Sequence, residues 1–157
     1  MNERHEDAEY LSQEGFLRLK KELVNLKDGH RKEIAARLEY AKSLGDLSEN
    51  AEYQEAKDEQ LVIETRISEL ENILSRAVLI SHTVSSLVDL GSTVKARKEG
   101  GREEIFSIVG SEEAEPSAKK ISNESPLGHA FLGKKKGDTV TVYTPRGEIR
   151  YHILDII

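Results

Sequence analysis

The sequence contains no cysteine and no tryptophan, one methionine, three prolines, and only 5% aromatic residues. Without cysteine there can be no disulfide, no thiolate metal site and no thiol nucleophile, which fits a reducing compartment and leads us to expect the cytoplasm. Few aromatics and 33% charged residues in a chain of 157 argue against one large core and for an elongated, solvated element. No apolar run approaches the roughly 18–20 residues needed to span a bilayer. The acidic start (Glu3, Glu6, Asp7, Glu9) is the reverse of a signal peptide, so no membrane association is expected. The histidines (His5, His30, His82, His129, His152) lack metal-ligand spacing and no serine nucleophile motif occurs, so neither a tightly held metal nor a small-molecule substrate is expected.

Charge is present in abundance but unevenly. The net charge of −6 disfavours a generic nucleic-acid coat. Between Ser12 and Lys42 eight Lys/Arg stand against five Asp/Glu, whereas between Asp46 and Glu71 nine Asp/Glu stand against two Lys/Arg. Residues 81–157 hold eleven of each sign.

Two apolar stripes occupy those oppositely charged segments. Gln60, Ile63, Ile67, Leu70, Leu74 and Ala77 alternate in steps of three and four, the spacing of a coiled-coil seam. Phe16, Leu19, Leu23, Leu26, His30, Ile34, Leu38 and Ala41 trace a similar stripe, with a change of spacing between His30 and Leu38 that would locally unwind a supercoil. Ser12 suits the N-cap of the first helix, Glu14 its first turn, and Gly45 a left-handed end. With so few residues between the stripes the helices must return antiparallel, opposing their charges. An arm of about 30 residues would rise about 45 Å.

Beyond Ala77 the period changes to two, and a second domain is expected from about residue 80, leaving 1–79 to the hairpin. Strands are predicted at Thr93 to Arg97, Glu104 to Val109, Lys119 to Ser122, Asp138 to Tyr143 and Glu148 to Ile156, the last two joined by Thr144-Pro145-Arg146-Gly147. Pro126 to Leu132 suits a short helix stopped by Gly133. The fold class is therefore α+β: an N-terminal antiparallel coiled-coil hairpin and a small, largely antiparallel sheet carrying one helix.

The hairpin turn reads Gly45-Asp46-Leu47-Ser48-Glu49-Asn50-Ala51-Glu52-Tyr53. Asp46 and Glu49 have the spacing of a capping box, and acids at a helix start are stabilised by its dipole, typically by about 0.3–1 kcal/mol. The same pair places two carboxylates at the end of an arm with Leu47 between them. Two carboxylates bind Mg²⁺ only weakly, because the ion keeps several waters and seeks phosphate oxygens as well. Any such metal would be shared with a partner.

The segment GDLSENAEY, together with YLSQEG at the first helix and ISNESPLGHAFLGKKKGD near the end, resembles the bacterial Gre transcript cleavage factors of the GreA/GreB family, nearer its GreA branch. The resemblance runs from about Tyr10 to Ile157. It implies a coiled coil followed by an FKBP-like domain, in a factor that binds RNA polymerase and inserts its coiled coil through the secondary channel. There it would stimulate the polymerase's own hydrolysis of backtracked RNA, so that the chain is not itself the enzyme.

By this resemblance Asp46 would help to hold a weakly bound Mg²⁺ shared with the polymerase, and Glu49 would orient or deprotonate the attacking water. Both would be ligands only in the complex. Leu47, Ser48 and Asn50 would support the tip, although Ser48 and Asn50 equally suit a helix start. Lys42, Lys57 and Arg37 are candidates for contact with the RNA 3′ end, or else partners for the hairpin's acids. Ser122, Ser125, Pro126, Leu127 and His129 fall where the family docks on the polymerase. Two departures stand out: His129 occupies a position often basic in relatives, and Lys32 one where proline is frequent, Gly29 being the nearest substitute for the usual kink. The free protein is expected to be monomeric.

Three other readings remain at this point. A prolyl isomerase would need an aromatic pocket from Phe106, Phe131, Tyr143 and Tyr151. A structural or chaperone-like coiled-coil module would use the tip acids for capping alone. A channel-blocking paralogue would carry a tip that departs from the motif.

Overall fold

The structure is a computed structural model that describes residues 8–45, 50–80 and 86–157. It comprises two compact units: Phe16–Arg76, and residues 8–15 together with 77–157. Residues 8–15 thus cluster with the C-terminal residues.

The first unit is helical. Helix α1 (Gln13–Asn25) passes through a single π turn at Leu26–His30 into α2 (Arg31–Ser43), and after the tip α3 runs from Ala51 to Ser75. The π turn explains the irregular stripe. Leu26 and Ile34 are eight residues apart, one more than a heptad, and a π turn accommodates one extra residue so that both still face the seam. His30, expected in the seam, is therefore exposed, while Ile34 is only 2% exposed.

Ile34, Ile63 and Ile67 form a buried cluster against Leu23, Leu26 and Leu38. Farther along α3, Ile73 is buried and Leu74 only half-buried, a one-residue departure from the expected seam. Among the described residues no helix is long and apolar enough to cross a membrane.

The hairpin's edges realise its charge asymmetry. Lys27 meets Glu71, Arg31 clasps Glu64 through two bonds of 2.7 and 2.5 Å, and Arg37 reaches both Glu52 and Glu59. Partner numbers on α3 fall as those on the first helical arm rise, as antiparallel helices require. Arg66 returns the pairing from α3 to Glu22 at 2.8 Å. Hydrogen bonding to Arg31 holds the Glu64 carboxyl below its ordinary range.

The second unit holds two sheets. Strands β1 (Glu9–Leu11) and β2 (Ala77–Leu79) pair in parallel. Strands β3 (Thr93–Lys98), β4 (Glu103–Val109), β5 (Lys120–Ser122), β6 (Thr139–Thr144) and β7 (Gly147–Ile156) form a five-stranded sheet of order β5-β4-β3-β7-β6. Only its β4–β5 pair is parallel.

Alternate residues such as Val140, Val142, Tyr151 and Ile153 point inward and meet α4 (Pro126–Phe131). Phe106, Phe131 and Tyr151 pack mutually with centroids 5.8 Å apart, while Tyr143 is 71% exposed. The aromatic side chains that an isomerase pocket would need are thus spent on the core, apart from one at the surface.

Candidate functional site

The described flanks of the tip are built from backbone ends. Ala41 and Ala56, one on each helix, are both fully buried, so the helices approach closely there. Helix α2 ends through Leu44, and Gly45 follows at φ +110, a conformation that disfavours any side chain. Helix α3 starts with Asn50 as its N-cap: the side-chain oxygen accepts from the Tyr53 N–H at 3.1 Å.

The other end of the same amide donates to the Ala41 carbonyl at 2.7 Å. Asn50 thus satisfies an orphan donor at the start of one helix and a carbonyl at the end of the other. From sequence, an Asp46–Glu49 capping box, Ser48 and Asn50 all suit the start of this helix. Among the described residues the cap of α3 is Asn50. Asp46, Leu47, Ser48 and Glu49 themselves lie outside the described residues.

The three candidate RNA contacts differ in their freedom. Arg37 is engaged, bonding Glu52 at 3.1 and 3.0 Å and also Glu59. Hydrogen bonding to Glu52, reinforced by Glu59, raises its guanidinium pKa above the ordinary value. Lys42 and Lys57 are exposed and make no ion pair among the described residues.

In the second unit the candidate docking residues come together around the start of α4. Ser125 caps the helix, accepting from the Gly128 N–H at 3.1 Å, and its hydroxyl donates to the Ser122 carbonyl at 2.7 Å. The Ser122 hydroxyl in turn accepts from the Glu124 N–H at 3.0 Å and lies 3.2 Å from that of Ser111. Leu127 packs against the core, so Pro126 and His129 are the exposed members of the group.

Two further features were missed from sequence. A Cβ on Gly128 would stand 2.0 Å from the Ser122 carbonyl oxygen, so the helix lies directly on the strand end. Glu113 is only 8% exposed, accepting from the Ser12 N–H at 2.6 Å and the Ser12 hydroxyl at 2.5 Å. That hydroxyl also accepts from the Gly15 N–H at 2.9 Å, so the expected N-cap of α1 is present and is itself anchored. A Pro at the first position of α4 and a Ser before it were readable; a buried carboxylate 101 residues from its partner was not.

No cluster of three or more His, Asp or Glu able to hold a metal occurs among the described residues. The donor set of GDLSEN consists of two carboxylates, which are hard oxygen ligands suited to Mg²⁺ but leave most of an octahedral shell to be supplied elsewhere.

Residues 6–79 match the family model for the transcription elongation factor N-terminal domain, and residues 83–157 match that for the GreA/GreB C-terminal domain. The chain is 47% identical over 149 residues to the transcription elongation factor GreA of Bacillus cereus, covering 93% of this chain and 94% of that protein. It is 48% identical over 155 residues to GreA of Clostridioides difficile, covering 96% and 98%. Among solved structures, GreA factor homolog 1 of Thermus thermophilus is 30% identical, with a TM-score of 0.46 over 96% of this chain and 99% of that one. The two matched domains together span almost all of the sequence: this chain belongs to the GreA/GreB family of transcription elongation factors.

Proposed function

We propose that the chain binds RNA polymerase, enters its secondary channel with the hairpin foremost, and stimulates the polymerase's hydrolysis of backtracked RNA, acting as a cytoplasmic monomer. The observation that carries this reading is the capping of α3 by Asn50. With the side-chain cap of α3 supplied by Asn50, this reading assigns the carboxylates of Asp46 and Glu49 to metal and water rather than to capping. The slender hairpin supports it further: α3 alone, with 25 residues, rises about 37 Å, enough to reach a recessed site.

In this mechanism Asp46, together with Glu49, would supply oxygen ligands that complete a Mg²⁺ site begun by the polymerase. When bound, the ion would stabilise negative charge developing on the phosphate oxygens. Glu49 would orient the attacking water and take its proton; the water oxygen joins phosphorus as one P–O ester bond breaks, and the RNA 3′ segment departs. Asn50 keeps the two helix ends in register beneath these groups, and Lys42 and Lys57 would meet phosphates of the RNA 3′ end.

The test uses backtracked complexes of the organism's RNA polymerase carrying labelled RNA. Wild-type protein should accelerate cleavage. Asp46→Asn with Glu49→Gln should lower the rate by about 10²-fold or more while folding and polymerase binding persist. Unchanged cleavage by the double variant would overturn the reading.

A further inference from the structure

The hairpin near its tip carries two chemically distinct flanks. At about 100° per residue, Arg37, Tyr40 and Leu44 lie within about 60° of one another, on the side where Arg37 meets Glu52 and Glu59. Glu55 falls on the same side of α3. Lys42 is about 200° around its helix from Tyr40, and Lys57 about 200° around its own from Glu55, so both lysines belong to the opposite flank.

Tyr40 is 64% exposed and Leu44 60%, one turn apart, and neither belongs to the hairpin's buried cluster among the described residues. The cation of this flank is already bound to two carboxylates, and Glu55 is exposed without an ion-pair partner among the described residues. An apolar pair set in surplus negative charge repels a phosphate backbone. It suits a protein surface that is apolar at its centre and basic at its rim.

We infer that the Tyr40–Leu44 flank is a protein-contact face, seated on an apolar, basic-rimmed wall of RNA polymerase, and that this contact sets the rotation of the hairpin so that the Lys42–Lys57 flank is turned to the RNA. The inference rests on the proposed function for the identity of the partner. It adds which side of the arm meets protein.

The experiment places the photoreactive residue p-benzoylphenylalanine at position 40 of the full-length chain, bound to a purified, backtracked polymerase complex with labelled RNA. Irradiation should join the chain to a polymerase subunit and leave the RNA unshifted. An adduct with RNA, or no adduct in a complex shown to contain the factor, overturns the inference.

In parallel, Tyr40→Ser with Leu44→Ser should weaken polymerase binding about tenfold or more, with cleavage restored at saturating factor, because two exposed anchors are lost and the tip is intact. Circular dichroism of that variant should match wild type, and undiminished affinity would overturn the inference. The Asp46→Asn, Glu49→Gln variant separates the two claims. If it cleaves normally while position 40 still crosslinks to polymerase, the cleavage mechanism fails and the contact face stands. If it is inactive while position 40 does not crosslink, the contact face alone fails.

Discussion

Replacing Asn50 by alanine removes two hydrogen bonds at once, from the Tyr53 N–H at 3.1 Å and to the Ala41 carbonyl at 2.7 Å. Loss of an N-cap costs about 1 kcal/mol, and loss of a partly buried amide–carbonyl bond about another 1 kcal/mol. Asn50→Ala should therefore destabilise the hairpin by about 2 kcal/mol. Asn50→Asp retains the acceptor for Tyr53 and loses only the donor, so about half of that cost is expected.

Urea unfolding followed by far-ultraviolet circular dichroism reads both. With a slope of about 2 kcal/mol per M, the alanine variant should unfold about 1 M earlier and the aspartate variant about 0.5 M earlier. Cleavage stimulation should fall in both, because each releases the end of α2 from the start of α3. A midpoint for Asn50→Ala within about 0.2 M of wild type would refute the bridging role, and with it the account of how α3 is capped.

Gly128→Ala would thrust a methyl group to 2.0 Å from the Ser122 carbonyl oxygen; a destabilisation of about 1–3 kcal/mol and weaker polymerase binding are expected, read by urea titration and by a binding assay. Ile34→Ala, at a site 2% exposed, should cost about 2–5 kcal/mol in thermal or chemical unfolding, and Ile34→Val about 0.5–1.5 kcal/mol. Glu64 is held below the ordinary carboxylate range by hydrogen bonds to Arg31, Glu103 by Lys95 and then Arg97, and Asp155 by Lys136. Because the folded pKa values lie below the unfolded ones, their stabilisation is complete above about pH 5 and fades as pH falls through the folded values. The melting temperature should accordingly be level from pH 7 to about 5 and decline below about 4, and a rise on acidification would contradict the assignment.

Features whose cause is local could be read from the residues. Ser12 does cap α1, Gly45 does take a left-handed conformation at the end of α2, and the period-two runs do become β3, β6 and β7. What escaped was decided across distance or by one residue of phase. The eight-residue step from Leu26 to Ile34 hinted at irregularity, but whether His30 would remain in the seam depended on where the extra residue was absorbed. Strands of three residues, such as β1 and β2, are too short to show a period, and their pairing joins segments on either side of the whole hairpin. For Arg37 the sequence left RNA contact and pairing with the hairpin's acids equally open, because only folding brings Glu52 and Glu59 across from α3. At the tip, Asp46, Ser48 and Asn50 are all competent caps by residue type, so the sequence could not choose among them; Asn50 is the one that caps α3 among the described residues.

The parallel pairing of Glu9 with Ala77, Tyr10 with Val78 and Leu11 with Leu79 also dictates an order of events during synthesis. When β1 leaves the ribosome its partner has not been made, and the Glu113 carboxylate that receives Ser12 comes later still. The helices, whose partners are close along the chain, can associate first, because short loops close at smaller entropic cost. A nascent chain halted before residue 77 should therefore hold a folded hairpin with an unpaired leading strand. Emergence of β2 then supplies that strand's partner, and Glu113 anchors Ser12 later still.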